Sequence, residues 1–244
     1  MRYISLALTL CLPSWAAFPT VAAVGSSTTD TAATSHTVAL GATPNTGDLL
    51  MCIFSTRISG TTTWPASWTQ LTLDANGTAQ WVEVRYKTAS GEGSTISLTT
   101  SVGMRSAHMC LIFTTGTWSG TPEKGVAATG SSANPNPPSL TASWGADDNL
   151  WIAYYGAPTN GDTTAYPTTY PDNRTNIRAA GNGGTGVVSG MATLSSNTAT
   201  SNPGTFTNGN SAAWVANTIV VQPAGGGGST LKDMIGRGII PVAR

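Results

Sequence analysis

Few side chains in this chain can carry chemistry. The 244 residues include two imidazoles, His36 and His108, and three thiols, Cys11, Cys52 and Cys110. No G-x-S-x-G elbow, Walker loop or H-E-x-x-H helix occurs. By strand alternation His36 falls on one face with Val38 and Leu40, and His108 with Cys110 and Ile112. Both are expected to be hydrogen-bonded histidines of a core or interface rather than catalysts. Cys52 and Cys110 lie in apolar runs. In an exported protein they would pair, and in one assembled in the cytosol they would be small reduced hydrophobes; the odd cysteine count favours the reduced form.

Acidic chemistry is equally sparse. Asp147-Asp148 is the only adjacent carboxylate pair. It sits between two strand patterns, where Asp and Asn are ordinary turn residues rather than a glycosidase pair. Neither this pair nor Asp172-Asn173 has the regularly spaced oxygen ligands of a calcium loop, so no metal or other cofactor is expected. Asn76-Gly77-Thr78 and Asn173-Arg174-Thr175 match the glycosylation sequon, a short pattern that recurs by chance. Aromatic rings in or beside loops are the remaining lead. Tyr166, Tyr170 and Trp118 are the candidates for stacking on a glycan or packing against a receptor.

The elements that must position these groups are strands. The composition is rich in β-branched and turn-forming residues, with 40 Thr, 24 Ser, 28 Gly and 14 Pro, and poor in long helical patterns. Hydrophobic residues make up 40% and include eight Trp, enough to build a core. Thirteen strands are predicted: 20–25, 36–40, 48–56, 68–73, 79–88, 95–100, 106–114, 125–130, 139–143, 149–155, 175–179, 187–194 and 212–221. In 82–87, Val82, Val84 and Tyr86 alternate with Glu83, Arg85 and Lys87, the period of a half-buried antiparallel strand. Residues 49–54 and 109–113 are apolar on both faces and are expected to be covered on both sides, or to lie at a subunit contact. Asn76-Gly77 marks a hairpin, and Asn134-Pro135-Asn136-Pro137-Pro138 blocks any ladder. The fold class is all-β, an antiparallel β-sandwich of jelly-roll type spanning 18–223.

Charge narrows the partners. Eleven basic and eleven acidic residues balance to a net charge of zero, which argues against nucleic acid. Residues 1–17 have the pattern of an export signal or a docking segment, with Arg2 before a short apolar stretch and Ser14-Trp15-Ala16 resembling a cleavage site. The stretch is too short for a transmembrane segment. A Gly-rich linker, 224–230, leads to 231–244, a basic peptide with apolar anchors. Leu231, Met234, Ile235, Arg237, Ile239, Ile240, Val242 and Arg244 are expected to dock on a partner, for instance by strand addition.

A series of phrases also carries a resemblance. Thr34-Ser35-His36-Thr37-Val38-Ala39-Leu40, Thr46-Gly47-Asp48-Leu49-Leu50 and Trp64-Pro65-Ala66-Ser67-Trp68-Thr69-Gln70-Leu71 occur in that order. They are followed by Val84-Arg85-Tyr86-Lys87, Ser106-Ala107-His108, Pro137-Pro138-Ser139-Leu140 and 144–153, which begins Trp144-Gly145-Ala146-Asp147. Over 18–223 this series resembles β-rich virion-associated structural proteins of tailed bacteriophages and prophages, of head-decoration, head-fibre or tail-associated type. The resemblance implies no catalytic residues. It implies a virion location, homo-oligomerisation, other virion structural proteins as partners and contact with a host-surface glycan. The alternative expectation is a secreted carbohydrate-binding or adhesive β-sandwich.

Overall fold

The computed structural model describes residues 17–57, 59–181 and 185–225. The export-type segment through residue 16 lies outside the described residues. So do linker residues 226–230 and the docking peptide with Leu231, Met234, Ile235, Arg237, Ile239, Ile240, Val242 and Arg244. The rest is the expected antiparallel β-sandwich. The first sheet uses β1 (Val21–Ala39), β2 (Leu49–Thr56), β3 (Thr62–Thr63), β4 (Thr69–Asn76), β5 (Gln80–Thr88) and β6 (Thr95–Phe113). Its order is β1-β6-β2-β5-β4, with β3 paired to β6. The second sheet uses β7 (Trp118–Lys124), β8 (Ala128–Ser132), β10 (Asp148–Ala157), β12 (Asp172–Ala179), β13 (Val187–Asn197) and β16 (Ala212–Pro223). Its order is β12-β13-β10-β16-β7, with β8 also on β16. Two small ribbons join β9 (Leu140–Thr141) to β14 (Thr200–Ser201), and β11 (Thr163–Ala165) to β15 (Thr207–Asn208). Each main sheet is drawn from one half of the chain.

Alternation builds three apolar layers. Between the sheets, Leu49, Met51 and Ile53 of β2 and Val82 and Val84 of β5 meet Leu150, Ile152 and Tyr154 of β10. The opposite faces are buried too. Leu50, Cys52 and Phe54 pack outward against Val38, Leu40, Ile96 and Leu98. Trp151 and Tyr155 pack outward against Tyr170, Phe206 and Trp214. The two-sided apolar runs are thus covered within one chain. Each fully buried large side chain removes apolar surface worth about 1.5–3 kcal/mol.

The outer face of the first sheet is covered by a strand pair bent back on itself. The stretches 20–25 and 36–40, predicted separately, belong to one 19-residue strand, β1, and 95–100 and 106–114 likewise merge in β6. The joining residues of β1, 26–35, are Ser, Thr, Asp and Ala without alternation, and those of β6 include Gly103 and Arg105, so periodicity does not reveal them. The β1–β6 register shifts between Thr29 and Ala33 and again between Ala33 and Ser35, a site of bulging and bending. A straight strand would separate residues 25 and 39 by about 45 Å. Here a Cβ on Gly25 would lie 2.2 Å from the Ala39 carbonyl oxygen, so the fold-back requires glycine. β7 was not predicted; Gly120, at φ +66, and Pro122 interrupt its pattern.

Candidate functional site

Two polar clusters occur on the outer side of the first sheet, and they differ in access. The first contains the two histidines. His36 arrives on the folded-back half of β1 and His108 on β6, and both are fully buried. Ser106 joins them, with its Oγ 2.8 Å from His36 Nδ1 and 2.7 Å from His108 Nε2. Ser27 Oγ lies 3.1 Å from His108 Nδ1, and Thr29 and Thr100 hydroxyls lie 3.0 Å from the His36 ring nitrogens. Phe54 stacks on His108 with centroids 5.1 Å apart. Burial lowers the pKa of His36 and holds His108 down at about 3, the neighbouring His36 adding to the effect on His108. Both rings are neutral at pH 7, and the hydrogen-bond partners around them are hydroxyls. The expectation of hydrogen-bonded core histidines describes them; their convergence through Ser106 was not foreseen.

Behind them, Cys52 and Cys110 face each other across the β2–β6 ladder and form a disulfide. This corrects the expectation of reduced thiols. The two cysteines are 58 residues apart, and only the register of β2 on β6 places them opposite one another.

The second cluster borders an open groove of about 550 Å³. Its floor is the outward face of β5 and β4, with Trp81, Glu83 and Arg85 beside Gln70 and Leu73; Thr61, Thr62 and Ser101 form the wall. Glu83, placed by alternation on the polar face of a half-buried strand, is only 2% exposed. The segment before β4 arches over it. Thr62 Oγ1 donates to Glu83 Oε2 at 2.5 Å and Trp64 Nε1 donates to the same oxygen at 3.0 Å. Arg85 Nε donates to Oε1 at 2.6 Å, so both carboxylate oxygens are used. Arg85 also donates to the Trp68 carbonyl and to Gln70 Oε1, each at 3.3 Å, and lies 5.9 Å from the Trp64 ring centroid. Ser67, at φ +71, tightens the turn that brings Trp64 and Trp68 within 5.2 Å.

The aromatic candidates lie elsewhere. Tyr170 is fully buried, and its hydroxyl is 2.8 Å from Ser201 Oγ. Its ring belongs to the layer outside the second sheet and offers no face to a glycan, a correction caused by the loops that close over β10. Tyr166 is half-buried, donates to Asn176 Oδ1 at 2.9 Å and packs edge-on to Phe206. Trp118 is half-buried against the inter-sheet core. These three do not form one site. Nothing in the alternation pattern marked Gln70 and Arg85 as partners, because their pairing depends on the β4–β5 register, which also brings Trp81 to the same groove.

The remaining motifs serve the fold. The Asp147 carboxylate accepts from the Asp148 N–H, and Asp148 accepts from Asn197. The Asn76 amide donates to the Gly130 and Trp214 carbonyls, tying the β4 end to the second sheet. The Asn173 amide donates to Thr193 Oγ1. Among the described residues, no three His, Cys, Asp or Glu side chains converge to hold a metal ion. No helix among the described residues is long and apolar enough to cross a membrane. No protein family, curated protein or solved structure matches this chain.

Proposed function

We propose that this chain is a non-catalytic structural and attachment protein, a virion component of the decoration or fibre type. Its sandwich contacts other macromolecules, assembles as a homo-oligomer and joins other virion proteins through 231–244. The observation that carries the reading is how the polar chemistry is spent. Two neutral histidines are sealed beneath β1, and the one carboxylate lining the open groove, Glu83, is bound by Thr62, Trp64 and Arg85. General acid–base work needs a group free to exchange protons with a substrate. A rigid sandwich with few exchangeable groups suits adhesion.

The test is to probe purified particles from a host that produces this chain, by mass spectrometry and by imaging with an antibody against the sandwich. Stoichiometric presence on the particle, and its loss when 231–244 is deleted, supports the reading. Absence from particles overturns it.

A second reading, a secreted adhesive module, draws on one specific observation. The Cys52–Cys110 disulfide suits an oxidising compartment. N-terminal sequencing separates the two. A mature start near Ala17 favours secretion, and an intact Met1 favours assembly without export.

A further inference from the structure

We infer that the groove over β4 and β5 is a binding site for a neutral oligosaccharide, read through Trp81, Gln70 and Arg85. The inference goes beyond the virion reading and holds equally for a secreted module.

Position supplies the first argument. The bent β1–β6 ribbon covers β2 and the adjoining half of its own sheet, and the apolar layer beneath it contains no residue of β4. The outward face of the β4–β5 hairpin is therefore covered only over Glu83, by Thr62 and Trp64, and the rest borders the open groove. Large apolar side chains are exposed at only three described positions, Leu73, Val102 and Val126. Leu73 lines the groove at 44% exposure, and Val102, at 41%, borders it beside Gly60. Leu73 is thus an exposed apolar side chain of the groove itself, and Val102 lies next to its lining residues Gly60 and Ser101.

Charge supplies the second. Among the lining residues one anion and one cation occur, and they form a pair, Arg85 Nε to Glu83 Oε1. The groove presents no net charge to attract a phosphate, a carboxylate or a polyamine. A neutral ligand with both hydroxyls and an apolar ring face fits that balance.

Chemistry supplies the third. Trp81 is half-buried on the floor beside Leu73, a flat apolar platform of the kind on which a sugar ring packs. Gln70 is exposed, and accepting from Arg85 fixes its amide and leaves its NH₂ as a donor. The Arg85 guanidinium is held at three points, through Nε, Nη1 and Nη2, and each Nη carries a second N–H. Thr61 and Ser101 add exposed hydroxyls at the rim. Few, pre-positioned polar groups around an apolar floor are the usual build of a small-ligand site. Hydrolysis would require a second carboxylate across the scissile bond, and the lining holds only Glu83.

The test applies the purified full-length chain to an array of neutral hexose and N-acetylhexosamine oligomers, with sialylated and sulfated glycans as the comparison arm. The best neutral oligomer is then titrated against the protein by calorimetry and tryptophan fluorescence. Binding should weaken by roughly tenfold or more in Trp81→Ala, as for other central contact residues. Gln70→Ala, at an exposed position that should leave the fold intact, should weaken it several-fold with an unchanged melting temperature. Tyr166→Ala, on the second sheet, should bind as the parent does. Retention of no neutral oligomer overturns the inference, as does preference for the anionic glycans. So does equal affinity in Gln70→Ala and Trp81→Ala, or loss confined to Tyr166→Ala. Particle incorporation is scored separately, so a chain found on particles that binds no glycan fails here while the virion reading stands.

Discussion

The two sheets meet the same problem in different ways. Each has a central strand apolar on both faces, β2 in the first sheet and β10 in the second, and each must cover the face turned away from its partner. The first sheet uses regular structure. Its longest strand pair bends back between Thr29 and Ser35, and the chain meets itself at Gly25 and Gly41, where a Cβ on either would clash with backbone. The second sheet uses loops. Residues 133–146, 158–171 and 198–210 bring Tyr170 and Phe206 down onto Trp151 and Tyr155. A folded ribbon has a fixed width, and it leaves the β4–β5 hairpin open as a groove. Loops adapt to the surface they cover, and the second face is filled with rings. The ribbon side also has buried histidines and a disulfide, whereas the loop side is held by aromatic packing.

This contrast can be tested at several strengths, and acid gives the largest expected effect. An unfolded histidine takes up its proton near pH 6.5, whereas folded His108 does so only near pH 3. The unfolded state therefore binds more protons between those values. Stability is fully present above pH 6.5 and falls as pH drops toward 3, by on the order of 4–5 kcal/mol from His108 alone. The lowered pKa of His36 acts in the same direction. By pH 4 about 3 kcal/mol of this should already be lost, so urea unfolding at pH 7.5 and pH 4 should differ by about that much from His108, and His108→Gln should flatten the dependence. A flat parent profile would break the comparison.

Next comes the disulfide. It closes a separation of 58 residues, and removing it in Cys52→Ala/Cys110→Ala should cost about 4 kcal/mol in denaturant titrations. On the loop side, Phe206→Ala should cost about 3 kcal/mol, because its ring sits 5.0 Å from that of Tyr155 in a fully buried layer. That loss should be independent of pH between 4 and 7.5, unlike the histidine effect. The smallest change is expected at Gln70→Ala, whose stability should stay within about 0.5 kcal/mol of the parent. A large loss there would mean that the groove is part of the packed structure rather than an open face.

Much of the fold was legible along the chain. Segments 82–87 and 95–100 announced themselves through alternation, and 49–54 and 109–113 through unbroken apolar runs, since side-chain direction in a strand is a two-residue property. The hairpin at Asn76-Gly77 was equally local, with Gly77 at φ +56. The burial of His36 and His108 followed from the residues that share their parity. The candidate site was far less legible. Tyr170, a plausible loop ring by sequence, is sealed by Ser201 and Phe206, more than thirty residues away in the chain. Glu83 read as part of a polar face because the segment that covers it, 62–64, lies some twenty residues earlier and carries no alternation of its own.

What the sequence determined by itself was the all-β class, the position of most long strands, the Asn76-Gly77 turn and which residues share a face, because these depend on neighbours two to four positions apart. What covers each face was decided only in three dimensions. The pairing of Cys52 with Cys110, the Ser106 bridge between the histidines and the meeting of Gln70 with Arg85 each require a strand register. Register is fixed by the summed burial of whole strands across long loops, a quantity that no short stretch of residues contains.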